Sequence, residues 1–379
     1  MIAPALARCS AAVLAVALGL AASRLTAQIA PKLSPADVRA VLIPRINDGT
    51  FLGLATAWRE GDLIKTASAG VTVAGGAPID PSIRFPLGEA GAVFTAALLA
   101  NLVVRGEVSL DDLAQRFLPT SIRLPNRNGR AITLGDLAFH RSGLPDVRQT
   151  GSRTELEQLT RAVRNAKSQF DIGSRYAYSQ LGIDLLGLAL ARHLRMPLSD
   201  AIRSRILSPL GVIEIVPLTP IRIPGRDALG HTASGRPVGA TTLRAAGWKG
   251  SSLDMVRFAT AASDTSNGPL ASTFALMMRT RSPGPDPSFP VALGWRLLPL
   301  DGRDIYWHDA QDAQGFSAYI AMDPQRQRSV AVLSNTDRAV DAIAGALLLG
   351  RIPVISAAPS RPSPSAGPTS STPRRPRRR

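Results

Sequence analysis

Strand-like runs stand near both ends of this sequence and helical patterns fill the stretch between, an order that restricts the possible folds more than any single motif does. Phe51–Trp58 and Leu63–Val73 are short apolar, β-branched runs around Arg59-Glu60-Gly61-Asp62, whose glycine suits a tight hairpin. Toward the other end, Leu293–Leu298, Asp304–Trp307, Phe316–Met322 and Ser329–Ser334 are runs of the same kind. They are joined by Asp301-Gly302 and Asp323-Pro324, as in an antiparallel meander. The middle is helical: Gly91–Gly106 is rich in Ala and Leu, apolar nearly all round and closed by glycine, which predicts a helix buried on most faces. Ile183–Leu194 and Ser199–Leu207 are further helical stretches, and Ala339–Leu349 closes the chain's folded part. The expected fold class is α+β, an antiparallel sheet built from both chain ends with flanking helices and an inserted helical lobe. A cleft is expected where the lobes meet. The boundaries fall at 34–106 and 285–352 for the α/β lobe and 107–284 for the helical lobe, within a domain of 28–355.

The two ends read differently. Residues 1–27 have the layout of a signal peptide, with Arg8, an apolar stretch Ala11–Ala22 and small residues near Ala27, so the mature protein is expected in the periplasm or secreted. The apolar run is shorter than the roughly 18 residues a membrane span needs. Residues 356–379 are rich in Pro, Ser and Arg, with too little apolar surface to offset the entropy of ordering, and are expected to be disordered. Six arginines there (Arg361, Arg374, Arg375, Arg377, Arg378 and Arg379) supply much of the +16 net charge. The other basic residues are scattered, without aromatic interleaving. Nucleic acid is therefore not the expected partner, and weak contact of the tail with an anionic surface is the remaining role for that charge. The single cysteine, Cys9, lies in the segment expected to be removed, which leaves no disulfide and no thiol chemistry. His140, His193, His231 and His308 show no metal-ligand spacing, so neither metal nor cofactor is expected, and the chain is expected to be a monomer.

Eight short blocks occur in an order that resembles a known family. They are Arg84-Phe85-Pro86-Leu87-Gly88, Phe94-Thr95-Ala96 with Gly106-Glu107-Val108-Ser109-Leu110-Asp111-Asp112, Ile132-Thr133-Leu134, His140-Arg141-Ser142-Gly143-Leu144-Pro145, Tyr178-Ser179-Gln180-Leu181-Gly182, Pro209-Leu210-Gly211, Asp254-Met255-Val256-Arg257-Phe258 and Ser334-Asn335. Over about residues 34–350 the chain resembles the serine hydrolases of the class C β-lactamase and D-alanyl-D-alanine carboxypeptidase type, with their esterase relatives. The resemblance implies a β-lactamase/transpeptidase-like fold and a cleft lined by three motifs. The first, S-x-x-K, supplies a nucleophilic hydroxyl and a lysine one turn on that eases removal of its proton. Here those positions are Glu89 and Ala92, and no other lysine has a serine three residues before it. The second, Y-x-N, reads Tyr178-Ser179-Gln180, keeping the phenol and lengthening the amide arm. The third, K-T-G or H-x-G on an edge strand, reads His308-Asp309-Ala310, where the alanine methyl is expected to narrow the approach of substrate.

Two expectations follow. A carboxylate at Glu89 sits where developing oxyanion charge would be stabilised, and loss of one oxyanion donor alone costs about 10²- to 10³-fold in rate. The first expectation is a catalytically inactive protein that binds a peptidoglycan-derived or acyl-peptide ligand, or a partner, through Glu89, Tyr178, Gln180 and His308. The alternative is an active hydrolase in which Glu89 is a general base and Tyr178 or His308 the acid. Structurally, Glu89 also suits the first turn of a helix, where the dipole favours it by about 0.3–1 kcal/mol. His140 reads as structural, Tyr306 and Trp307 as strand core, and Ser142, Ser251, Ser252 and Ser317 lack the context of a replacement nucleophile.

Overall fold

The computed structural model describes residues 33–147, 154–168, 170–219, 221–238, 247–286, 288–312 and 314–355. The expected signal peptide (1–27) and Arg-rich tail (356–379) lie outside the described residues. The N-terminal hairpin forms as read: β1 (Gly53–Glu60) pairs with β2 (Leu63–Gly70), Glu60 opposite Leu63, across Gly61 at φ +62°. On its other edge β1 takes β13 (Arg328–Ser334), with Leu54 opposite Ser334, and so joins the two ends of the chain. The sheet continues through β12 (Phe316–Asp323), β11 (Arg303–Asp312), β10 (Trp295–Leu300), β9 (Phe289–Ala292) and β8 (Arg281–Asp286), eight strands among the described residues.

Two of these strands differ from the sequence reading. β8 and β9 were not expected, and the sheet resumes at Arg281 rather than at 285. Pro283 and Pro285 argue against a strand because proline cannot donate to the ladder. β8 is the outermost strand, its register with β9 shifts between Ser282 and Asp286, and both features tolerate proline.

Both faces of the sheet are covered, and the alternation along its central strands sorts side chains between two cores. On β12, Ala318, Ile320 and Met322 join the larger core, while Tyr319 and Ala321 turn to the smaller one. The smaller core is closed by α1 (Pro35–Asn47), through Val38 and Leu42, and by the helix Asp341–Leu348, through Ile343, Ala344 and Leu347. The larger core is organised on α2 (Ala92–Val104), buried without interruption from Ala92 to Leu102, as its composition predicted. α2 packs on the helices Gln180–Leu194 and Ala271–Arg279. The helix Ser252–Ser263, N-capped by the Ser251 hydroxyl, packs on β1, β12 and β13. It therefore covers the sheet, although its position within 107–284 had put it in the helical lobe.

Candidate active site

A small second sheet sets the turn that carries Glu89. β3 (Arg84–Pro86) pairs with β7 (Trp248–Ser251), which also takes β6 (Val216–Pro217). Just past β3, the Leu87 N–H donates to the Trp248 carbonyl at 2.8 Å. Gly88 turns the chain with φ +52°, and Gly88–Gly91 forms one 3₁₀ turn that runs into α2. A Cβ on Gly91 would stand 3.0 Å from Trp248 Cδ1, so glycine there lets the turn lie against the indole. Trp248 meets Phe94 of α2 edge-on, 5.7 Å between centroids. Glu89 is half-buried on this turn, which packs against β11 and β12.

Behind the turn lies a cavity of about 380 Å³, its mouth included. Ala92 and Ala96 of α2 form one wall, His140 and Tyr176 another, and Arg296 and His308 a third. The site thus opens where the fourth residue of the first motif carries only a methyl group. Among the described residues, no hydroxyl of a serine or threonine, no thiol and no lysine amine lines it.

Two histidines face this cavity, and their environments fix their protonation. The helix Leu134–Ala138 is N-capped by Thr133, which accepts from Asp136 N at 3.0 Å, and it delivers His140 in the left-handed region at φ +56°. The His140 ring lies 4.5 Å from that of Tyr178 and 5.5 Å from that of Tyr176. Its Nδ1 accepts the Ser179 N–H at 3.3 Å, which leaves the proton of the neutral ring on Nε2. Burial, helped by the repulsion His308 would exert once both rings were charged and by the Arg296 charge, pushes its pKa down to about 3. His308 is the opposite tautomer, because its Nδ1 faces the Asp309 carbonyl at 3.0 Å and must carry the proton, leaving the lone pair on Nε2. Burial and Arg296 push its pKa to about 3 as well. Both rings are therefore neutral at ordinary pH, one a donor and the other an acceptor at Nε2.

Of the sequence-predicted positions, Ala92 and His308 share the cavity, and Tyr178 lies against its His140 wall, the two rings tilted by 39°. Gln180 is buried, and both ends of its amide are engaged: Tyr178 Oη donates to Oε1 at 2.7 Å and Nε2 donates to Asp184 Oδ1 at 2.8 Å. The expected ligand-binding amide is turned into its own helix. Ala310 is buried on β11 opposite Ala318. β11 has a partner on each side, but its pairing with β10 ends at Trp307, so the edge the third motif requires begins at His308. There Arg296 Nη1 reaches from β10 to Asp309 Oδ1 at 2.6 Å. Tyr306 is core as expected, whereas Trp307 is half-buried, stacked on Tyr319 at 9° with the Arg296 guanidinium 5.1 Å from its ring centroid. The four serines set aside earlier stay outside the cavity: Ser317 donates to the Thr336 carbonyl, Ser251 caps a helix, Ser142 accepts from Leu144 N–H, and Ser252 is fully buried. His140, Tyr176 and Arg296 had not been selected as site residues. The only available signal was the position of His140 in a family-like block.

A covered antiparallel sheet with a buried helix opening onto it belongs to the architecture shared by penicillin-binding proteins and class C β-lactamases. The fold is similar to an octameric penicillin-binding protein homologue from Pyrococcus abyssi, with a TM-score of 0.72 and 21% identity over 84% of this chain and 78% of that one. It is also similar to a class C beta lactamase from Rhodobacter sphaeroides, with a TM-score of 0.67 and 23% identity over 82% and 95% of the two chains. The chain belongs to the Beta-lactamase family, whose model matches residues 38–350. It is 27% identical over 335 residues to penicillin-binding protein 4 of Amycolatopsis lactamdurans, covering 80% of this chain and 88% of that one. Over 127 residues it is 34% identical to the D-alanyl-D-alanine-carboxypeptidase/endopeptidase AmpH of Escherichia coli K12, about a third of either chain (32% and 33%). Among the described residues, no helix is long and apolar enough to cross a membrane, and no cluster of His, Cys, Asp or Glu could hold a metal ion.

Proposed function

We propose that this protein is an exported member of the family that forms no acyl-enzyme and binds an acyl-peptide or peptidoglycan-derived ligand non-covalently in the cleft. One observation carries the reading: the helix start at Ala92, His140 with Tyr178 against it, and the β11 edge at His308 stand round a cavity that, among the described residues, has no serine, threonine or cysteine nucleophile and no lysine amine in its lining. Glu89 adds a fixed negative charge where an acyl transfer would develop one, and Ala92 removes the amine that would take the nucleophile's proton.

The rearranged-hydrolase reading is weakened by the same geometry. An acid with pKa about 3 is almost entirely unprotonated at neutral pH, and the remaining N–H of His308 is held by the Asp309 carbonyl. The Tyr178 hydroxyl is already donated to Gln180. The two acids named for that reading therefore have their protons engaged elsewhere.

Incubation of the purified protein with a fluorescent penicillin, followed by denaturing electrophoresis, tests the proposal. No covalent label is expected, while a soluble muropeptide should perturb the NMR signals of Tyr176 and His308. A labelled band, or ester or muropeptide turnover that disappears in Glu89→Gln, overturns it.

A further inference from the structure

A second cavity, of about 450 Å³ with its mouth included, shares no lining residue with the first. Its walls are apolar, from Leu218, Ile221, Leu229, Val238 and Phe316, and its floor is ionic, from Arg84, Asp227 and Lys249 with Arg222 beside them. Asp227 is fully used: Oδ1 accepts from Arg84 Nε at 2.7 Å, and Oδ2 accepts from Lys249 Nζ at 2.8 Å and from the Ile223 N–H at 2.8 Å. Burial opposes its ionisation, but these bonds outweigh burial and hold it below the ordinary carboxylate range.

The floor and its surroundings carry more positive than negative charge, with Arg84, Lys249, Arg222 and Arg226 against Asp227 and Glu214. The side chains of Arg84 and Lys249 are each 7% exposed and Asp227 is 5% exposed, so two buried cations share one buried carboxylate. Glu214 is a second, looser ion partner, 3.7 Å from Arg84 Nη1 and too far to hydrogen-bond it: its Oε2 is buried with no hydrogen-bond partner among the described residues, and the carboxylate is also paired with the largely exposed Arg226. Arg84 Nη2 is buried with no hydrogen-bond partner among the described residues, and Lys249 Nζ has Thr219 Oγ1 only at 3.5 Å. A buried guanidinium with an unfilled donor is costly, and a further anion beside it would relieve that cost. One monoanion would reduce the excess and offer Arg84 Nη2 an acceptor, and the walls call for an apolar body attached to it.

We propose that this cavity binds a monocarboxylic acid with an apolar tail, its carboxylate on the Arg84–Lys249 floor and its tail along Leu218, Ile221 and Phe316. The site is independent of whether the cleft acylates, so the penicillin result does not bear on it. Calorimetric titration of the full chain with octanoate, octanamide and inorganic phosphate tests it, alongside Ile221→Asp, which puts a carboxylate at an exposed wall position (76% exposed) where folding should be untouched. A matching melting curve for the variant verifies that. Octanoate should saturate one site, with octanamide and phosphate weaker by about tenfold or more and octanoate weakened by about tenfold or more in Ile221→Asp. Arg222→Met should weaken octanoate without changing octanamide. Failure of octanoate to bind up to about 10 mM, equal binding of octanamide, or octanoate binding unmoved by Ile221→Asp overturns the proposal.

Discussion

At residue 92 a missing side chain leaves both a space and a missing proton acceptor, and the two can be separated by restoring them in steps. Glu89→Ser alone supplies a hydroxyl on the 3₁₀ turn, but the cavity beside it holds two neutral imidazoles and no amine, so it should remain unlabelled by fluorescent penicillin. Adding Ala92→Lys introduces a base into space already open, and general-base help is worth about 10²- to 10⁴-fold. The double variant should therefore label slowly, and adding Gln180→Asn should speed it, because the shorter amide can release the Tyr178 hydroxyl now held at 2.7 Å. Labelling by Glu89→Ser alone, at the rate of the double variant, would show that the lysine position does not matter. The residues of this site were only half legible in the sequence. Glu89, Ala92, Tyr178 and His308 could be read because each falls in a short local block. Arg296 and the pairing of His140 with His308 could not, because helix, loop and strand bring them together only once the chain has folded. The buried Arg84–Asp227–Lys249 floor was missed for the same reason, since three charges far apart in sequence look like ordinary surface residues.

At the scale of elements, the buried helix was legible because its composition forbids any exposed face, and the hairpins because their turns carry glycine. The outer strands were not, since Pro283 and Pro285 are acceptable only to a strand with a free edge, and free edges are a property of the finished sheet. Nor could the sequence say that Ser252–Ser263 lies on the sheet, because an amphipathic helix does not declare which surface it covers. How closely α2 meets the sheet depends on Gly294, between β9 and β10: its φ is +79°, and a Cβ there would sit 2.5 Å from the Ala96 Cβ. Gly294→Ala should cost about 1–3 kcal/mol from overpacking in addition to about 1–2 kcal/mol of left-handed strain. Gly302→Ala, at φ +76° with open space around it, should incur the strain alone. Urea denaturation of the two variants measures the difference; equal losses would mean that α2 and the turn can part without cost.

For the whole molecule, joining both chain ends in one sheet buries histidines drawn from distant segments, and this sets how stability depends on pH. His140 and His308 have pKa values near 3 in the folded protein against 6.5 ordinarily, and burial lowers that of His231 too. Between those values the unfolded chain takes up protons that the native state refuses. Stability is therefore complete above about pH 6.5 and falls as the pH drops, by about 1.4 kcal/mol per pH unit for each such histidine. Carboxylates held low by their partners, such as Glu107 through Arg205 and Asp227 through Lys249, add their losses only nearer their ordinary range, below the window from pH 6.5 to 4.5. Glu155 and Asp341, raised by burial, act in the opposite direction, and their effect cancels when variants are compared. His308→Gln keeps an amide able to donate to the Asp309 carbonyl and removes one titrating ring. Unfolding free energies at pH 6.5, 5.5 and 4.5 should then fall less steeply than in the parent, by about one proton's worth of slope. Parallel slopes would mean that the ring gains its proton within the folded cavity, and the cavity would then have to be open enough to hydrate an imidazolium.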